Sequence, residues 1–188
     1  PETTVASSFQ LYQELGLRGE VNFPAFEQAL KGFSRYASGQ DRLLVLIDYT
    51  KPSTEKRFYI LDLLQKKLLL STYVAHGRGS GDNYAVAFSN RPGSYQSSLG
   101  FFRTGDTYMG KNGYSLFLDG LEKGINDKAR ERAIVVHGAN YADPAVLKGQ
   151  QRLGRSLGCP ALPPDISKQV IDIIKGGVLL YIYGLNKA

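Results

Sequence analysis

The sequence predicts a mainly β domain with short helices ahead of it and one helix before its last strand. Three observations carry that expectation. Short runs rich in apolar, β-branched and aromatic residues recur from Leu43 onward. The 21 glycines and 12 tyrosines, with no tryptophan, suit turns and pleated surfaces better than a helical bundle. Helical spacing of apolar residues is found in the first forty positions and again after Pro163-Pro164.

A short helix is expected over residues 6 to 15. A second begins after Asn22, a capping residue, with Pro24 in its first turn and Gly39 at its end. Its Phe26, Ala29, Leu30, Phe33 and Ala37 recur at helical spacing. These helices hold no reactive constellation, so residues 1–42 read as a helical packing appendage to a main domain over 43–188. Strands are expected at 43–49, 57–63 and 67–74, the last two close enough to pair as a hairpin. Residues 75–113, rich in Gly, Ser and Asn with a Pro92-Gly93 turn, read as a long loop broken by short strands. Further strands fall at 114–118 and 133–136, the second ending at His137. A helix carrying Ile166, Val170 and Ile173 on one face turns at Gly176-Gly177 into a closing strand over 178–183.

A chain of this length and apolar content buries a core of its own, which excludes a disordered tail. No stretch approaches the roughly 20 apolar residues of a membrane span. Pro1 has neither the charged start nor the apolar region of a signal segment, so the expectation is an exported protein whose leader has been removed. The net charge of +6 suits an anionic surface. No basic repeat interleaved with aromatics points to nucleic acid. The single cysteine cannot form an internal disulfide, which leaves the redox compartment open.

That cysteine carries the chemistry. Cys159 lies in Arg155-Ser156-Leu157-Gly158-Cys159-Pro160-Ala161-Leu162, and follows Ile134-Val135-Val136-His137-Gly138 by a short loop. A free thiol with a pKa of about 8.5 is only slightly ionised at neutral pH, and a nearby imidazole supplies the missing basicity. A loop after the strand that ends at His137 is long enough to return the cysteine beside it. Gly158 permits a sharp turn, and the amides of Gly158 and Cys159 could donate to an oxyanion. Ser156 could orient the imidazole through its carbonyl or hydroxyl. The competing reading is a small buried apolar cysteine and a histidine satisfied in the core.

His76, at a strand end before Gly77, Gly79 and Gly81, could line the cleft or compete with His137 as base. The glycine series lacks the lysine and helix of a phosphate loop and reads as a flexible cleft loop. Ser94 and Tyr95, beside the Pro92-Gly93 turn, are candidates for substrate contact. Arg155 could hold a substrate carboxylate through its guanidinium fork or be a solvated loop charge. Two histidines and one cysteine without close spacing give a metal site little support.

The cysteine segment resembles the L,D-transpeptidase catalytic domain (YkuD-like) family, whose hallmark is a histidine followed, after a variable loop, by Ser/Thr-His-Gly-Cys. Here His137-Gly138 supplies the first part and Ser156-Leu157-Gly158-Cys159 the second. The likeness extends over about residues 43 to 184, in a divergent branch with Ser-x-Gly-Cys-Pro-Ala. It implies a β-sandwich, Cys159 as nucleophile, His137 as base, Ser156 as the residue orienting it, and Gly158 with Cys159 as the oxyanion hole. Arg155, His76, Ser94, Tyr95 and Gly138 stand as candidate substrate-binding residues. The resemblance implies action on peptidoglycan stem peptides in the periplasm or elsewhere outside the cytoplasm, with no metal or organic cofactor. Such enzymes attack the bond after the third stem residue, release the terminal D-amino acid and pass the acyl group to an amine. Leu157 stands where the common pattern has a second histidine. A thiol hydrolase acting as an L,D-carboxypeptidase or amide hydrolase, and a non-catalytic wall-binding domain, are the alternatives.

Overall fold

Two helices, α1 (Glu2–Glu14) and α2 (Phe23–Tyr36), lead into strands β1 (Leu43–Asp48), β2 (Phe58–Asp62) and β3 (Lys67–Thr72). Strands β4 (Gly100–Gly110), β5 (Gly113–Gly120), β6 (Val135–Gly138) and β7 (Ala161–Leu162) follow, then α3 (Pro164–Ile174) and β8 (Leu179–Tyr183). This computed structural model describes residues 2–187 of the chain. All eight strands belong to one sheet, ordered β3-β2-β1-β8-β4-β5-β6-β7. β1 runs parallel to β8 and β6 parallel to β7, while the other neighbours are antiparallel.

The sheet curls until it nearly closes, so that both halves share one interior. Val45, Ile47 and Ile60 from β1 and β2 meet Phe102, Leu116 and Val136 from β4, β5 and β6, with Val170, Ile171 and Ile174 of α3 beside them. The expected mainly β, sandwich-like fold is therefore present, with its helix before the last strand. The buried stripe of α3 is turned slightly from the expected one: Ile166 and Ile173 pack at the margin of the core.

The N-terminal residues, read as a helical packing appendage, cover a face of the sheet. Tyr12, Leu17, Phe26 and Ala29 of the N-terminal segment pack with Leu44, Leu46, Tyr59, Leu61 and Leu179 in a second apolar layer. This explains why β1 and β2 are apolar at nearly every position, since alternate residues enter opposite layers and both are dry. Asn22 occupies the first capping position of α2, but its amide donates to Asp48 Oδ2 at 2.9 Å rather than capping the helix. The helix stops at Ala37, before Gly39. Gly32 permits the closest approach: a Cβ there would lie 1.7 Å from Phe101 Cζ, so only glycine lets α2 seat on that ring.

The main departure from expectation is β4, an 11-residue strand inside the stretch read as loop. Arg103, Thr104, Gly105 and Asp106 interrupt its apolar run, and the register shifts between Thr104 and Thr107. Its neighbours β5 and β8 supply the pairing that its own sequence does not advertise. Thr104 ties this strand to α3, donating to Ile174 O at 2.6 Å and accepting from the amides of Gly177 and Val178.

The far edge of the sheet positions the two candidate residues Cys159 and His137. In the parallel β6–β7 pair His137 stands opposite Ala161, which sets Cys159, two residues earlier, alongside Val135. The chain makes this crossover through two short 3-10 turns, Asn140–Ala142 and Pro144–Lys148.

Candidate active site

A cleft of about 310 Å³ opens at this edge, and Cys159, His137, Ser156, Arg155, Arg132 and Tyr141 are among the residues that line it. Cys159 and His137 are both buried, at 9% and 3% exposure, and both reach the cleft wall. Cys159 Sγ lies 3.5 Å from Val135 N, from which it accepts, and 3.5 Å from Ala133 O, to which the thiol donates. Ala133 adopts φ +54°, a conformation unusual for a residue with a side chain. No hydrogen bond joins Sγ to the imidazole among the described residues.

His137 Nδ1 lies 2.9 Å from the carbonyl oxygen of Gly138. A carbonyl can only accept, so Nδ1 carries the hydrogen and Nε2 keeps its lone pair. Ser156, expected to orient the ring, makes no hydrogen bond to it among the described residues. Its hydroxyl instead donates to Cys159 O at 2.6 Å and accepts from Gly158 N at 3.1 Å, closing the Ser-Leu-Gly-Cys turn on itself. The oxyanion expectation changes too, because the Gly158 amide is engaged by that hydroxyl. The Cys159 amide has no hydrogen-bond partner among the described residues. Gly158 has φ +128°, and a Cβ there would come within 2.9 Å of Ile134 Cδ1 and 3.0 Å of Gln96 O. Glycine is thus required on both conformational and steric grounds.

Burial raises the Cys159 thiol above its ordinary value, opposed by the Val135 amide, Arg132 and Lys111. Burial likewise lowers His137, opposed by its bond to Gly138. Burial thus disfavours the charged form of both groups.

His76, expected as a cleft residue or rival base, is fully buried and is not among the residues that line this cleft. Its Nδ1 accepts from the buried Arg57 guanidinium at 2.9 Å and its Nε2 donates to Gly81 O at 3.2 Å. Burial, and secondarily the Arg57 charge, push its pKa down to about 3. Its place is structural: the His76 carbonyl accepts from Ser156 N at 2.9 Å and so anchors the cysteine turn. The Gly77–Gly81 segment is likewise packed rather than open, with Gly79 N donating to Tyr95 O and Ser80 buried.

Ser94 and Tyr95 lie outside the lining of the cleft. Ser94 Oγ accepts from Arg132 at 3.1 Å, and Tyr95 stacks under the Arg78 guanidinium 4.3 Å from its ring centre. Arg155 does line the cleft, with one arm bonded to Gly81 O and Asp82 Oδ1, both at 3.2 Å. Gly138 borders an adjoining groove of about 470 Å³ that shares Lys111, Asn112 and Tyr141 with the first. Leu157 is 53% exposed at the cleft wall. Arg132, Lys111 and Tyr141 were not singled out by sequence reasoning. Arg130-Glu131-Arg132 reads as a solvated charge run, and the partners of Arg132 lie 34 to 43 residues away. No group of three His, Cys, Asp or Glu side chains converges among the described residues.

Comparison with known proteins returns a family described as L,D-transpeptidase catalytic domain, matched over residues 17–183. That span begins within the N-terminal segment and includes α2. Among solved structures, the helical cell shape determining protein Pgp2 from Campylobacter jejuni is similar at 17% identity with a TM-score of 0.50, over 79% of this chain and 50% of that one. An L,D-transpeptidase from Stackebrandtia nassauensis is 14% identical with a TM-score of 0.46, over 97% and 78% respectively. One from Mycobacterium smegmatis is 13% identical with a TM-score of 0.46, over 76% and 59%. The chain thus spans between half and four-fifths of these three proteins. No curated protein matches it.

Proposed function

Because the chain belongs to the L,D-transpeptidase catalytic domain family, we propose that it is a cysteine acyltransferase acting on peptidoglycan stem peptides outside the cytoplasm. The observation that carries this reading is the tethering of His137 Nδ1 by Gly138 O in a cleft shared with Cys159, which leaves Nε2 as the free basic nitrogen. In the proposed reaction the thiol leaves its resting contact with Ala133 O and rotates toward Nε2. The imidazole takes its proton as Sγ attacks the amide carbonyl after the third stem residue. The Cys159 amide donates to the developing oxyanion, with the Gly158 amide held in reserve by Ser156. The imidazolium then protonates the departing amine of the terminal D-amino acid. An incoming amine, deprotonated by the same nitrogen, takes the acyl group from sulfur and restores the thiol.

The test is stem-peptide turnover by Cys159→Ala, with circular dichroism to verify folding. Product formation should be abolished, and turnover equal to that of the unaltered protein refutes the proposal. Mass analysis after exposure to a carbapenem should show one adduct on Cys159, whereas an inert thiol favours a wall-binding role. Products formed with and without an added D-amino acid separate transfer from hydrolysis.

A further inference from the structure

Arg132 is a half-buried guanidinium beside the nucleophile that no carboxylate neutralises. No acidic side chain stands within ion-pair distance of it among the described residues, although Arg103, Arg130, Arg152 and Arg155 each have an acidic partner. Four hydrogen bonds to uncharged oxygens moor it instead: one arm donates to Ser89 O at 2.7 Å and Ser98 Oγ at 2.8 Å, the other to Ser94 Oγ at 3.1 Å and Gln96 O at 2.7 Å. Its terminal nitrogen lies 3.5 Å from the point a Cβ on Gly158 would occupy, one residue from the nucleophile. An oriented cation with an uncompensated charge in a partly dry cleft costs desolvation, and an anion that forms there repays it.

Resting on the reading of Cys159 as nucleophile, we infer that Arg132 is the counter-charge of the Cys159 thiolate, stabilising the sulfur anion while its proton is on His137. The S–H bond breaks, an N–H bond forms at Nε2, and the electron pair left on Sγ is held in the field of the guanidinium until it forms the C–S bond. This supplies a cation at a site whose turn carries the neutral Leu157. The electrostatics agree in both directions: Arg132 favours the ionised sulfur, and the ionised sulfur favours the charged guanidinium. The other titratable or charged groups around the sulfur are His137 on β6, Lys111 at the β4–β5 turn, Arg155 on the cysteine turn, Tyr141 on the crossover and Tyr49 after β1. Of the cations, Lys111 is exposed at a hairpin tip and Arg155 is paired with Asp82, so Arg132 alone is both moored and unpaired.

The experiment reads the thiol before any wall substrate is added. Alkylation of Cys159 by iodoacetamide is followed from pH 5 to 10 in the unaltered protein, Arg132→Gln and Arg132→Lys. At pH 7 the glutamine variant should react about tenfold more slowly, with its profile displaced to higher pH, while the lysine variant should stay within about threefold of the unaltered protein. Superimposed profiles for glutamine and unaltered protein overturn the inference. So does equal displacement of both variants, which would assign the effect to the hydrogen-bonded fork rather than to charge. Should Arg132→Gln not fold, Arg132→Met takes its place in the same comparison with Arg132→Lys and the unaltered protein, and is read by the same criteria. Failure of acyl transfer in the unaltered protein would end the proposed activity while leaving these profiles readable.

Discussion

His137 Nδ1 stands 2.9 Å from the carbonyl oxygen of Gly138, the next residue in the chain, and this contact decides which ring nitrogen can accept a proton. The tautomer is set by the backbone of β6 itself. His137→Gln should therefore lower kcat/KM by about 10² to 10⁴, within the usual contribution of a positioned base. Rates measured on a purified, folded variant that fall less than threefold would remove the ring from the mechanism.

The pH profile follows from burial. The ring is lowered from its ordinary value, so the basic neutral form persists to lower pH than for an exposed histidine. The acid limb of kcat/KM should lie below pH 6.5, with activity rising as pH increases through it. An acid limb centred above pH 7 would contradict this.

Ser156 closes the cysteine turn from both sides, through Cys159 O and Gly158 N. Ser156→Ala should reduce kcat more than it raises KM, by about tenfold to a hundredfold, and Ser156→Thr should restore much of the loss. Gly158→Ala is expected to be worse, losing at least about 2 kcal/mol of stability because a side chain meets Ile134 and Gln96 in a left-handed backbone. Urea melts of the variants against the unaltered protein check both.

His76 imposes a second pH dependence, on stability. Its folded pKa of about 3 lies below the unfolded value near 6.5, so the unfolded chain binds the extra proton between those limits. Its contribution is fully present above pH 6.5 and is lost as pH falls toward 3, at about 1.4 kcal/mol per pH unit. Urea midpoints from pH 7 to 4 should show this slope, and His76→Gln should flatten it despite a lower stability throughout.

Removal of residues 1–42 should leave an aggregating domain. The cut bares Leu44, Leu46, Tyr59, Leu61 and Leu179, which α1, α2 and their connection cover. Light scattering that shows a stable monomer for residues 43–188 would make those helices dispensable.

The sequence by itself determined the β runs from Leu43 to Thr72, the amphipathic second helix, the helix after Pro163 and the final strand, because each announces itself through local periodicity and turn residues. The candidate pair of Cys159 and His137 was legible for the same reason, as short motifs at a strand end and in a glycine turn. Strand β4 was not, because its pairing comes from β5 and β8 rather than from alternation within Gly100–Gly110. Nor were the roles of Gly138, Ser156 and His76, which depend on hydrogen-bond directions. Only the tertiary structure decided that the N-terminal helices wall the sheet, that Arg132 lines the same cleft as Cys159, and that burial disfavours the charged forms of thiol and imidazole. Those facts arise from groups distant in the chain sharing a low-dielectric space, and no local pattern encodes that proximity.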